Sequence, residues 1–342
     1  LTAPHVNLIP SEFPGDIYLH VAKHVWEHLQ ETYDEIPHAE AEIYEEFIDN
    51  IIELKKQIMA AEQRSDHRKN LVAELQQLKA DNTETLKNSS VVFWMRVNDN
   101  KYRRKIVKRS TMTISYGSTP YGMGTQVYDD ARKHGLDLLI YLELSWAVFL
   151  GRLIYEDCKT SIAKPMRLLS VFTEAGIAAE AKGEFLSWHT PIVNFPVVQH
   201  YIEGEVKQIW VQYGPHEGMT RTSSGYYPNT LQLRICHTEI TKPSRGKQSN
   251  GASPNAIHSL DATHLIMTVC KANFPVTTIH DSYGCLLGDM SDLFLIVRET
   301  FVELYSNDPL KKLMEDIGGS LEKVEIGDLN VAVILESEYA FC

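Results

Sequence analysis

Paired cysteines are missing from this sequence. The five cysteines, Cys158, Cys236, Cys270, Cys285 and Cys342, form no CxxC pair. That argues against a zinc site or a disulfide framework and for a reducing compartment. No apolar run approaches the roughly 20 residues of a membrane span. The residues from Leu1 onward also lack the charged-then-apolar plan of a secretory signal. Positive charge is scarce as a sum: 33 Lys and Arg stand against 45 Asp and Glu, a net charge of −12. The sum argues mildly against nucleic acid as a partner, because phosphate neutralisation wants basic surface. The distribution argues the other way. Six of the nine residues from Lys101 to Arg109 are Lys or Arg, while much of the acid sits between Asp34 and Glu53. A chain of 342 residues, 44% hydrophobic and 23% charged, is long enough and apolar enough for two or more subdomains with real cores.

What is present is organised around Tyr102–Gly117, YRRKIVKRSTMTISYG. Arg104, Lys108, Met112 and Tyr116 recur at i+4, so on an α-helix they form one stripe. At 1.5 Å per residue the stripe spans roughly 18 Å, about the distance from a nucleotide's triphosphate to its base. The cationic end suits phosphates, Arg as a planar fork and Lys as a point charge. Tyr116 and Gly117 at the other end suit a flat ring beside a close backbone. A basic surface helix has the same spacing.

Upstream, Asn7-Leu8-Ile9-Pro10-Ser11-Glu12 reads as a turn leading to a helix with Ser11 as N-cap. Ile17, Val21, Val25 and Leu29 then give that helix a core face. Glu40–Asp81 is charged and helical, with Leu54 and Ile58 on one stripe and Leu71, Leu75 and Leu78 on another. A polar break over Arg64–Lys69 makes it a two-helix antiparallel hairpin, either solvated or docking a partner. Ser118–His134 is another helix, with a flexible, hinge-like start at Tyr121-Gly122-Met123-Gly124. Leu136–Ala179 reads as two apolar core helices, with Pro165 near the start of the second. Phe185–Tyr201 turns to β composition. Val206–Ile235 reads as two strands around a Gly- and Ser-rich loop, Gly214–Tyr227.

Two further stretches carry chemistry. In Lys247–Asp261, KQSNGASPNAIHSLD, Pro254 suits the first turn of a helix, and His258, Asp261 and Leu265 lie on neighbouring faces. A lone helical His is usually structural. In Phe274–Gly284, FPVTTIHDSYG, a β-branched run ends at His280-Asp281 and a second run follows. A carboxylate at such a strand–turn–strand tip is well placed for Mg²⁺, a hard cation that prefers oxygen.

Together these motifs resemble the single-subunit RNA polymerases of the bacteriophage and mitochondrial type. RxxxK followed by YG resembles motif B of right-hand polymerases, and KRSTMTISYG resembles this branch of them. NLIPSE with Asp16-Ile17-Tyr18 and Val21-Ala22-Lys23 resembles the segment after motif A. Trp188-His189-Thr190-Pro191 with Phe195-Pro196-Val197 resembles a strand pair of the family. KQ-x-x-G-x-x-PN-x-x-HS-x-D and HDSYG, motif C, follow in order. The terminus Leu335–Cys342, LESEYAFC, resembles the hydrophobic-acidic tail that tucks toward the active site. The resemblance runs from Val6 to Cys342, apart from about Thr32–Asn98.

It implies an α+β right-hand fold, with mostly helical fingers over 1–257 and the later palm over 258–342. Within the fingers, 34–92 would be a charged insertion, and 205–243 a hairpin that phage members use to read promoter DNA. It implies that Arg104 and Lys108 hold the triphosphate and that Lys108 protonates pyrophosphate. Met112, Tyr116 and Gly117 would line the incoming nucleotide, and His258 would hydrogen-bond Tyr116 in a sensor of the ribose 2′-OH. Asp281 would hold Mg²⁺. Ser282, where related DNA polymerases usually carry Glu, points to RNA synthesis. DNA template, nascent RNA and ribonucleoside triphosphates are the implied partners. The implied setting is the host cytoplasm, the virion or, less so, the mitochondrial matrix.

Nucleotidyl transfer by this family uses two Mg²⁺ ions bridged by two carboxylates. The second carboxylate lies in motif A, in DGSCSG-like text that this chain does not contain. That absence and a first residue of Leu imply a piece of a longer chain or one subunit of a split enzyme, inactive alone, with motif A, thumb and promoter-binding region supplied by another portion or polypeptide. A DNA polymerase of the same superfamily and a non-catalytic nucleic-acid-binding or assembly subunit are the competing readings.

Overall fold

The computed structural model describes residues 2–63, 65–133, 137–203, 205–212, 219–222, 225–228, 230–237, 242–319 and 327–341. It is an α+β protein, mostly helical, with small two-stranded antiparallel sheets. Its first helix, α1 (Ile17–Asp34), buries Val21, Val25 and Leu29 as their i+4 spacing predicts. Its N-cap is Asp16, whose side chain accepts from the Leu19 N–H, and not Ser11. Pro14 and Gly15 separate Ser11 from the helix, and this pair is turn-forming. The Ser11 hydroxyl instead donates to the Phe13 carbonyl at 2.6 Å.

The main core surrounds α5 (Ser90–Met95), a short helix buried from Ser90 to Trp94. The Trp94 indole donates to the Trp146 carbonyl at 2.7 Å, and the Trp26 indole to the Trp94 carbonyl at 3.3 Å. Phe93 and Trp146 stack with centroids 4.4 Å apart. Each indole thus buries apolar area and still satisfies its N–H. Against this hub pack α1, α6 (Asn100–Ile114), α7 (Pro120–Ala131) and α9 (Leu144–Ser161). Gly124 is no hinge. It lies inside α7, and a Cβ there would meet the Val148 Cα of α9 at 2.5 Å. The residue is small because two helix backbones touch at that point.

The charged stretch forms the expected helical hairpin, α2 (His38–Ala60) and α3 (Asp66–Asp81), but the break falls earlier, over residues 61–65. Arg64 lies outside the described residues. The hairpin is not wholly solvated: Phe47, Ile48, Ile51 and Ile52 belong to the main core. Lys55 and Lys79 both pair with Glu143, at 2.6 and 3.2 Å, just before α9.

After α4 (Thr83–Asn88) and α8 (Asp137–Ile140), which link these helices, α10 (Ala163–Ala181) leads to the sheets. Pro165 sits in its first turn, as expected. Strands β1 (Ser187–His189) and β2 (Pro196–Val198) pair antiparallel, with Trp188 opposite Val197. Strands β3 (Glu205–Gln212) and β6 (Thr230–His237) form a hairpin that carries a second pair, β4 (Met219–Thr222) with β5 (Gly225–Pro228). Residues 214–218 and 223–224 of the expected Gly- and Ser-rich loop lie outside the described residues.

A 27-residue helix, α11 (Arg245–Lys271), then crosses the back of the site. Pro254 is inside α11 and not in its first turn, because the helix begins at Arg245, upstream of the Pro254-Asn255 pair. A second core joins α10, α11, β1 and α13 (Pro309–Ile317) through Phe172, Trp188, Ala252, Ala256 and Leu313. The Trp188 indole donates to the Ser259 hydroxyl at 3.0 Å. Strands β7 (Val276–Ile279) and β8 (Ser282–Cys285) follow, then α12 (Met290–Ser306). The tail returns over α12. The Ser337 hydroxyl donates to the Asn7 carbonyl at 2.7 Å, and Phe341 packs 5.1 Å from Phe301. Cys342 lies outside the described residues.

Candidate active site

Helix α6 supplies one wall. Asp99 caps it, accepting from the Lys101 N–H at 2.7 Å. Ile106, Val107 and Ile114 face the core, which turns Arg104, Lys108 and Met112 outward. Tyr116 does not belong to the helix: α6 ends at Ile114, and Tyr116 and Gly117 lie in the turn beyond it. Gly117 has φ of +79°, in the left-handed region that favours glycine, with nothing within 4 Å of an added Cβ. The backbone angle, not crowding by the protein, requires glycine there.

The cations of α6 are not equivalent. Arg103 donates to the Val97 carbonyl, and Arg109 pairs with Asp130 at 3.2 Å. Arg104 pairs with Asp16, the α1 cap. Lys108 makes no ion pair among the described residues. Arg104 and Lys108 both lie over the ring of Tyr18, at 5.5 and 5.6 Å from its centroid. One aromatic face thus lines up both charges. Burial pushes the Tyr18 hydroxyl above its ordinary range; Arg104 opposes this, and the Asp16 and Asp281 carboxylates add to it.

Strands β7 and β8 supply the second wall. The hairpin closes with the two residues His280 and Asp281, and His280 takes φ of +53°. A two-residue turn between paired strands commonly needs a positive φ at one of its central positions. Asp281 is exposed at the tip.

Helix α11 joins the walls. The Ser253 hydroxyl donates to the Ser115 carbonyl at 3.3 Å, just past α6. One turn further on, His258 lies against Tyr116 with ring centroids 5.2 Å apart and planes at 37°. The two residues therefore meet, but as packed rings; no hydrogen bond joins them. Asp261 stands one turn beyond His258. Solvent reaches it on the cleft side, while the protein behind it and the Asp281 carboxylate raise its carboxyl above the usual range; His258 acts against that. Tyr116 is raised by burial and then by Asp261, Asp281 and Tyr18.

Arg104 and Lys108 thus share the Tyr18 ring, Tyr116 packs on His258, and the Asp281 carboxylate acts on Tyr18, Tyr116 and Asp261. Met112 is on the same face of α6, 46% exposed. No described group of three or more His, Cys, Asp or Glu side chains has the arrangement of a metal site. Sequence reasoning missed Asp16 and Tyr18 as supports for the cations, and Asp261 as the carboxylate beside Asp281. The signals were an Asp before an amphipathic helix, and the threefold spacing of His258, Asp261 and His264 on one helix.

The DNA-dependent RNA polymerase family model matches residues 1–332. T7 RNA polymerase of Escherichia phage T7 is 28% identical over 367 aligned residues, covering 98% of this chain and 37% of the phage protein. The mitochondrial DNA-directed RNA polymerase 1 of Arabidopsis thaliana is 24% identical, covering all of this chain and 29% of the plant protein. The human mitochondrial DNA-directed RNA polymerase is 30% identical over 61% of this chain and 16% of its own length. The chain belongs to the DNA-dependent RNA polymerase family, in the single-subunit branch of the phage and mitochondrial enzymes. It spans well under half the length of these three relatives. Among the described residues no helix is long and apolar enough to cross a membrane.

Proposed function

We propose that this chain forms the nucleotide-binding fingers and the later palm of a right-hand RNA polymerase that copies DNA. One observation carries the reading. Arg104 and Lys108 on α6 and Asp281 on the β7–β8 tip address one space, with Tyr18 in contact with both cations and under the influence of Asp281. Cations for a triphosphate thereby face a carboxylate suited to a metal.

In this reading Lys108, which pairs with no carboxylate among the described residues, binds the triphosphate and donates a proton to the departing pyrophosphate. Arg104 joins it by exchanging Asp16 for phosphate oxygen. The ring of Tyr116 packs beside the incoming base, and its hydroxyl, with His258, senses the 2′-OH. We assign fingers to 1–257 and palm to 258–342, with α11 passing through both.

An exposed carboxylate on a rigid turn fits Mg²⁺, whose chemistry there is to lower the pKa of the primer 3′-OH and to offset triphosphate charge. Asp281 would hold it, with Asp261 nearby. Two metal ions need more oxygen ligands than these. The relatives named above are far longer than this chain, so we assign the remaining carboxylate to another portion of the polymerase, in the same polypeptide or a second one. Ile279 next to the hairpin tip, 71% exposed, leaves apolar surface beside Asp281 for that portion to cover. The DNA template and nascent RNA would pass between the two portions. The β3–β6 hairpin is assigned to promoter contact.

The test is Asp281→Asn in the complete polymerase. A carboxamide is a far poorer Mg²⁺ ligand, so nucleotide addition should fall by several kcal/mol in barrier while template binding survives. Activity within about tenfold of the parent, roughly 1.4 kcal/mol, would remove Asp281 from the metal site.

A further inference from the structure

His264 has no part in the chemistry described so far, yet it is buried directly behind the metal-side hairpin. Its Nε2 lies 2.8 Å from the Val297 carbonyl of α12. A carbonyl only accepts, so Nε2 carries the hydrogen and Nδ1 presents a lone pair. The Tyr283 hydroxyl of β8 is 3.4 Å from Nδ1 and donates to it, and the same hydroxyl also bonds the Thr268 side chain of α11. Burial lowers the affinity of His264 for a second proton, in keeping with this neutral tautomer. Phe301 and Phe341 pack on the imidazole at 5.4 and 5.6 Å, which leaves the ring one orientation. Tyr283 is two residues from Asp281, and among the described residues β8 pairs only with β7.

We propose that His264 is a positioning residue. Its Nδ1 accepts from the Tyr283 hydroxyl and thereby fixes where the hairpin holds the Asp281 carboxylate, while the bond to Val297 sets the tautomer that leaves Nδ1 an acceptor. The proposal rests on the reading of Asp281 as the metal-binding carboxylate. A tip residue on a two-stranded hairpin is otherwise free to swing by more than a metal site tolerates. Partners that orient a metal ligand are commonly worth 10–100-fold in metal affinity or activity.

Two isosteres separate the two bonds. His264→Asn keeps an acceptor near the Nδ1 position and gives up the donor to Val297. His264→Gln keeps a donor near the Nε2 position and gives up the bond to Tyr283. In the complete polymerase, His264→Gln and Tyr283→Phe should each raise the Mg²⁺ concentration for half-maximal rate by about tenfold or more and lower kcat. KM for nucleotide at saturating Mg²⁺, set on α6, should hold. His264→Asn should stay close to the parent in Mg²⁺ requirement, and the double variant His264→Gln with Tyr283→Phe should be no worse than either single one.

A merely structural histidine would lower Tm in both isosteres and leave the Mg²⁺ requirement unchanged, and that result overturns the proposal. So does an effect of His264→Asn equal to that of His264→Gln. If Asp281→Asn itself remains active, the metal-site reading has failed. If Asp281→Asn is dead while the Mg²⁺ requirement ignores His264 and Tyr283, only this inference has failed.

Discussion

The two walls of the cleft are backed in opposite ways. Behind α6, Ile106, Val107 and Ile114 sink into a core that also contains Phe93, Trp94 and Trp146, all essentially inaccessible. Behind Asp281 stands a two-stranded hairpin whose Ile279 is mostly in solvent and whose polar anchor is Tyr283. The first wall is completed by the chain's own packing. Among the described residues the second is tied through the Tyr283 hydroxyl, which meets His264 and Thr268. Phosphate-binding cations can tolerate small shifts because Coulomb attraction falls slowly with distance. Metal coordination is set within a few tenths of an ångström, so the second wall has more to gain from contacts that the chain does not itself provide.

The largest contrast should appear in stability. Trp94→Ala removes a buried indole and leaves the Trp146 carbonyl without its donor, at a cost of about 3–5 kcal/mol. Ile279→Ala, at an exposed position, should stay within about 0.5 kcal/mol. Urea unfolding of the 342-residue chain measures both. Equal losses would mean that the hairpin is part of the same cooperative core and that the contrast between the walls is false.

A smaller effect is expected where α6 and α11 meet. Tyr116→Phe keeps the ring against His258 and removes only the hydroxyl. In the complete polymerase it should still elongate, and its ribo- over deoxynucleotide ratio in kcat/KM should fall by at least about tenfold, roughly 1.4 kcal/mol. His258→Ala should weaken ribonucleotide use in particular. An unchanged ratio for Tyr116→Phe would dismiss the 2′-OH sensor. A parent that prefers deoxynucleotides would replace the RNA polymerase reading with its DNA polymerase rival.

The smallest effect probes the backing of the first wall. Asp157 on α9 is buried and faces His24 of α1 at 3.5 Å. Burial raises its carboxyl above the ordinary 3.8, with His24 opposing. A raised folded value means that the fold favours the protonated form. That contribution is full below the unfolded value of 3.8 and is lost as pH rises through the folded one. Asp157→Asn should therefore raise Tm slightly at neutral pH, with the gain disappearing as pH falls to the unfolded value of 3.8 and below. A loss of stability at neutral pH would show that the pair with His24 outweighs the burial cost, and that the first wall is held partly by charge.

Much of the fold was legible in the sequence because it is local. The i+4 repeats specify two helices, with the inward face of α1 and the outward face of α6, and the two β-branched runs around His280-Asp281 specify a hairpin with a carboxylate at its tip. Order and identity of the motifs sufficed for the family. What the sequence did not disclose depends on residues distant along the chain. Asp16 reaches Arg104 across 88 positions, and nothing within either segment announces the other. That α2 joins the main core, that Gly124 is a helix contact and not a hinge, and that Pro254 lies within α11 were decided by packing between helices. Local pattern assigns a residue to a face, but only tertiary packing selects what that face meets. For that reason Tyr18, Asp261 and His264 became visible as parts of the site only in three dimensions.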